Sequence, residues 1–128
     1  MRNAATAGLA GLLLLLVACG GGGGGGGGSS SGQPAGSTKV TLSDYKFTPN
    51  NLNVKSGKAS FFLVNTGTVS HDMVVTASDG KAVARSELIQ PGNSSLLTID
   101  NLPSGSYTTV CDQPGHEQLG MKGTITAS

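Results

Sequence analysis

Histidine and cysteine are scarce in this chain of 128 residues, which holds two of each. Cys19 and Cys111 sit in such different surroundings that no disulfide between them is expected, so a disulfide scaffold is excluded and each cysteine needs its own explanation. A surplus of charge is also missing. Eight Lys and Arg face seven Asp and Glu, and loss of the leading segment with Arg2 would make the count even. A nucleic-acid binder should carry a basic excess, and this chain has none. Long apolar runs are absent too, since the longest, Leu9 to Val17, is too short to span a bilayer as a stable helix. Helical periodicity almost disappears after the N-terminus, and no internal repeat is visible. What remains is at most one domain, with room for one modest core.

The N-terminus reads as an export signal. Arg2 gives a positive start, the run to Val17 an apolar middle, and Leu16-Val17-Ala18-Cys19 resembles the bacterial lipobox. On that reading residues 1–18 are a signal peptide and Cys19 is lipidated, which places the protein in the cell envelope, on the periplasmic or extracellular side of a membrane. The alternatives are an ordinary signal peptide with an incidental cysteine, or an uncleaved anchor. Residues 19–37 contain the unbroken run Gly20–Gly28 followed by Ser, Gly, Gln and Pro, the composition of a flexible tether. Such a tether reaches about 25 Å on average. The glycine run satisfies G-x-G-x-x-G trivially, but no strand precedes it and no amphipathic helix follows, so nucleotide binding is not expected there.

Residues 38–128 read as an all-β domain. Short runs rich in Val, Thr, Ile and Phe fall at Lys39–Tyr45, Leu52–Val54, Ala59–Asn65, His71–Ala77, Ser94–Ile99, Ser106–Cys111 and Met121–Ala127, each bounded by Gly, Pro, Asn or Ser. Phe47–Asn51 reads as a turn-rich link, and residues 81–91 as irregular or a short helix. Seven to eight strands with frequent turns predict an antiparallel Greek-key β-sandwich.

The chemistry is concentrated in Cys111-Asp112-Gln113-Pro114-Gly115-His116-Glu117-Gln118-Leu119-Gly120-Met121. The pattern C-x4-H-x4-M places a thiol, an imidazole and a thioether on one tight loop between strand ends, where Pro114, Gly115 and Gly120 allow the chain to fold back. The remaining histidine, His71, lies about forty residues earlier at a strand start, and a sandwich can bring such ends together. Singly, each residue has a plainer explanation: Met and Cys in a core, His at a surface. Together they exhaust the histidines and the cysteine outside the signal. Two imidazoles, a thiolate and a thioether are a soft mixed set suited to one copper ion in both Cu(I) and Cu(II) states, the combination of a blue-copper electron-transfer site. Zinc is the main competitor, but methionine is a poor zinc ligand.

The chain resembles the small blue (type 1) copper proteins, the cupredoxins of the plastocyanin, azurin and auracyanin group. The resemblance rests on Phe47-Thr48-Pro49 with Leu52-x-Val54-x-x-Gly57, on Phe61-x-Leu63-x-Asn65-x-Gly67 running to His71-Asp72, and above all on Cys111-x-x-Pro114-Gly115-His116 to Met121 and Lys122-Gly123-Thr124. It implies that His71 is the buried ligand, Cys111 the strong covalent ligand, His116 the partly exposed ligand through which electrons pass, and Met121 axial. Asp72 and Asn65 are expected behind the ligands, with the Asp72 backbone N–H directed at the cysteine sulfur. Many relatives carry Asn at the position of Asp72, so the carboxylate is a departure that puts its side-chain hydrogen bonds in question. Met73 is expected in the core, Asp112 and Glu117 in solvent, and Pro114, Gly115, Leu119 and Gly120 in an apolar patch around His116.

The expected function is one-electron transfer by a monomer that docks with redox proteins such as cytochromes or membrane oxidoreductases. The alternative is a periplasmic copper-binding or delivery module without redox traffic, which should show an exposed Met- or His-rich cluster. An enzyme is not expected, because no histidines are left for a second copper site.

Overall fold

The computed structural model describes residues 32–128. The expected signal peptide, the lipidated Cys19 and the glycine run lie outside the described residues. Residues 32–37 fold back locally, with the Ser37 N–H donating to Pro34 O at 3.2 Å and Gln33 Nε2 to Ser37 O at 3.0 Å.

Nine strands follow: β1 Thr38–Ser43, β2 Lys46–Thr48, β3 Asn51–Val54, β4 Gly57–Asn65, β5 Val74–Ala77, β6 Ala82–Arg85, β7 Ser94–Leu102, β8 Gly105–Val110 and β9 Lys122–Ala127. They form two sheets, ordered β2-β1-β4-β7 and β3-β9-β8-β5-β6. The expected all-β sandwich is therefore present. β4 shows how the sequence makes it: Ala59, Phe61, Leu63 and Asn65 are buried while the intervening residues are more exposed, the period of two that a half-buried strand requires. Phe47, Phe61, Leu63, Met73, Leu102 and Ile125 fill the space between the sheets. Burying one such side chain stabilises by about 1.5–3 kcal/mol.

The sheets are mixed, which corrects the antiparallel expectation. β1 pairs with β4 in parallel, Thr38 opposite Phe61 through Leu42 opposite Asn65, and β3 pairs with β9 in parallel. After β2 the chain leaves the first sheet, runs as β3 in the second, and returns as β4 on the far edge of β1, so β1 and β4 point the same way. Alternation of apolar residues records which face is buried and is silent about strand direction. The strand count also exceeds the expected seven to eight. β2, whose Phe47 and Thr48 fall in the stretch read as link, pairs with β1 through a hairpin, and part of the stretch read as irregular or helical is the edge strand β6. The strand expected from His71 begins only at Val74, and His71 itself makes an isolated bridge with Ile89.

One end of the sandwich gathers three connections: the β1–β2 turn at Asp44-Tyr45, the β4–β5 loop carrying His71, and the β8–β9 loop from Cys111 to Met121. Parallel pairing of β1 with β4 brings the first two together, and β8 pairs with both β5 and β9 to bring up the third.

Candidate metal centre

The β8–β9 loop closes through its own backbone. Cys111 N–H donates to Met121 O at 3.1 Å and Met121 N–H donates to His116 O at 3.1 Å, so all three side chains originate at one place. Turns over Gln113–Gly120 make this possible, with His116 N–H bonded to Gln113 O at 3.0 Å and Gly115 at a φ of 83°, in the left-handed region that glycine occupies without strain. His71 arrives from the opposite side, its N–H and C=O both paired with Ile89 at 3.1 and 2.8 Å.

The donor atoms of His71, Cys111 and His116 all lie within 4.8 Å of one another. His71 Nδ1 stands 3.2 Å from His116 Nδ1, and Cys111 Sγ stands 3.4 Å from His116 Nδ1 and 3.9 Å from His71 Nδ1. His71, Cys111 and Met121 are buried, whereas His116 is half-buried and provides the only one of these side chains that meets solvent. Met121 belongs to the core cluster as well as to the loop. Two nitrogens and a thiol converge here beside a buried thioether, a mixed soft set that fits copper.

Burial pushes the Cys111 thiol up, and the backbone N–H groups of Asp72 and Gln113 oppose that rise. Both N–H groups would stabilise a thiolate. Burial pulls His116 down, with the neighbouring His71 acting in the same direction. A neutral imidazole is the form that binds a metal.

Asp72 is buried, and its side chain does carry hydrogen bonds. Oδ1 accepts from Asp112 N–H at 2.8 Å, tying the His71 loop to the Cys111 loop, and Arg85 faces Oδ2 at 3.5 Å. Arg85 also pairs with Asp112 at 2.5 Å, so it bridges both carboxylates across the two loops. Asn65 is buried, and its hydrogen bonds go to backbone rather than to the donor atoms: its amide donates to Val69 O at 2.9 Å and Ile89 O at 2.8 Å, and its oxygen accepts from Gly67 N–H at 2.8 Å. It therefore shapes the loop that presents His71. Met73 is fully buried in the core, Glu117 is exposed, and Pro114, Gly115, Leu119 and Gly120 are exposed around His116.

Two site residues escape sequence reasoning. Asp44 accepts a hydrogen bond from His71 Nε2 at 3.0 Å, and Tyr45 packs edge-on against His116 with ring centroids 4.9 Å apart. Tyr45 holds a φ of 65°, uncommon for a bulky residue and costing about 1–3 kcal/mol. In the sequence Asp44 and Tyr45 fall at the end of the run read as a strand, Lys39–Tyr45, and only the pairing of β1 with β4 carries them to the metal end.

A family model described as a cupredoxin-like domain matches residues 11–127. No curated protein matches the chain. Among solved structures, the dithionite-reduced auracyanin of the photosynthetic bacterium Roseiflexus castenholzii is similar with a TM-score of 0.66 and 18% identity, over 75% of this chain and 99% of that one. Auracyanin A, a "blue" copper protein of the green thermophilic photosynthetic bacterium Chloroflexus aurantiacus, gives a TM-score of 0.60 and 19% identity, over 70% and 99%. An azurin of the methylotroph Methylomonas sp. strain J gives 0.63 and 17%, over 74% and 99%. At these identities the three structures share the fold.

Proposed function

The chain belongs to the cupredoxin-like family, whose cofactor is one copper ion, and from that premise we propose that it is a one-electron carrier with a type 1 site held by His71, Cys111, His116 and Met121. The observation that carries this reading is the convergence of two imidazole nitrogens and one thiol within 4.8 Å at a mostly buried place. Copper bound there supplies a one-electron couple at potentials set by its surroundings. The protein's own part is to keep that place rigid. Cys111, His116 and Met121 are cross-linked by their backbones, and His71 is pinned to Ile89. A set of donors already assembled needs little rearrangement when an electron arrives.

His116 is the donor side chain that meets solvent, and Leu119 beside it is 63% exposed. With Pro114, Gly115 and Gly120 it forms a weakly charged rim suited to brief docking with redox proteins such as cytochromes or membrane oxidoreductases. Those partners, and action as a monomer, are part of the proposal. So is the absence of enzymatic turnover: both histidines of the chain are used at this one place.

A copper-delivery module is the competing function. It calls for an exposed Met- or His-rich cluster, whereas among the described residues Met73, Met121 and His71 are fully buried and His116 reaches solvent singly. Protein-film voltammetry distinguishes the two. Fast, reversible one-electron waves with copper retained support the carrier, and sluggish reduction with release of metal supports delivery.

The proposal extends to the N-terminus: removal of a signal peptide, lipidation of Cys19 and the tether would keep this carrier at the envelope membrane. The support is the order of apolar run, small residue and cysteine at Leu16–Cys19. Among the described residues no helix is long and apolar enough to cross a membrane. Cys19→Ala is expected to move the protein from the membrane to the soluble fraction on cell fractionation. Retention of the variant in the membrane fraction contradicts the lipid anchor.

A further inference from the structure

We propose that Asp44 is a positioning and tuning residue of the copper site, fixing the tautomer of His71 and holding the reduction potential down through its negative charge. The geometry supplies the first half. Asp44 Oδ1 lies 3.0 Å from His71 Nε2, and an ionised carboxylate can only accept, so Nε2 carries the ring proton. Nδ1 is then bare, and Nδ1 is the atom facing Cys111 and His116.

The carboxylate is itself held. Thr68 N–H donates to Oδ1 at 2.9 Å and to Oδ2 at 3.0 Å, and the Thr68 hydroxyl donates to Oδ2. Every one of these groups donates, as does His71, so the carboxylate is surrounded by donors and is used purely as an acceptor, the role of its ionised form. Gly67 completes the cradle. A Cβ there would overlap Asp44 Oδ1 and approach His71 Nε2 to 3.0 Å, so the loop passes too close to the pair for any side chain. Thus the β1–β2 turn and the His71 loop meet through one built contact.

The second half follows from charge. A carboxylate on the far nitrogen makes a histidine ligand more basic. A fixed negative charge one imidazole ring from the metal also attracts Cu(II) more than Cu(I). Both effects favour the oxidised state. The ring of His116 instead meets Tyr45 edge-on.

The tuning half rests on the copper reading, while the tautomer half does not. Asp44→Asn keeps an acceptor oxygen and removes the charge, and Asp44→Ala removes both. In copper-loaded D44N the ratio of Cu(II) to Cu(I) affinity is expected to fall at least about tenfold, equal to a rise of 59 mV for a one-electron couple. In apoprotein, nitrogen-15 NMR should show His71 protonated at Nε2 in wild type and D44N, and a mixture of tautomers in D44A. A D44N affinity ratio within twofold of wild type overturns the proposal, as does a D44A spectrum identical to wild type. If wild-type protein forms no blue copper site, the copper reading fails and the apoprotein spectra alone decide Asp44's hold on His71.

Discussion

Cys111→Ser abolishes the visible colour of the copper-loaded protein and weakens copper binding by roughly a hundredfold or more, beyond the cost of losing an outer hydrogen-bond partner of a ligand. The thiolate is the soft donor of the set, and a serine hydroxyl neither ionises at ordinary pH nor matches Cu(I). Cys111 is 1% exposed, with the N–H groups of Asp72 and Gln113 directed at its sulfur. Those donors can serve a hydroxyl of similar size, so the apoprotein fold is retained and the loss belongs to the metal. Optical titration with Cu(II), beside circular dichroism of the apoprotein, checks both halves. A serine variant that still turns blue removes Cys111 from the ligand set.

Asn65→Ala unfolds the apoprotein more easily by about 3 kcal/mol, on the scale of about 1 kcal/mol for each side-chain hydrogen bond lost. Asn65 is 1% exposed and bonds Val69 O, Ile89 O and Gly67 N–H. Its removal takes all three bonds from the loop that presents His71, leaving Ile89 O only the His71 N–H. Urea denaturation followed by circular dichroism should give a lower midpoint at unchanged slope. The same variant should bind Cu(II) less tightly, because His71 loses the frame that aims it. An unchanged midpoint shows that the loop is held by something else.

These two residues differ in how readable they are. Cys111, His116 and Met121 lie within eleven residues, so covalent connection alone nearly fixes their proximity, and the Pro-Gly and Gly turns between them announce the reversal. His71 is legible through scarcity, since no other histidine is left to join them. Asn65 shows in the sequence as a polar residue at an inward position of β4, but its partners lie on separate loops. Asp72 was expected to lend a backbone N–H, and its carboxylate turns out to tie the Cys111 loop as well. Asp44, Tyr45 and Arg85 carry no local signal. Asp44 reaches His71 across 27 residues and Arg85 reaches Asp112 across 27, both through strand pairings whose direction hydrophobic alternation does not encode. The same gap hid the parallel pairs and the short strands β2 and β6, each of only three or four residues.

The proposed site holds one copper ion on one thiolate and two imidazoles. Purified protein loaded with one equivalent of Cu(II) tests it directly, by visible absorption and EPR on the same sample. Intense blue absorption together with a narrow copper hyperfine splitting is expected. A colourless protein with the wide splitting of ordinary Cu(II) would contradict it.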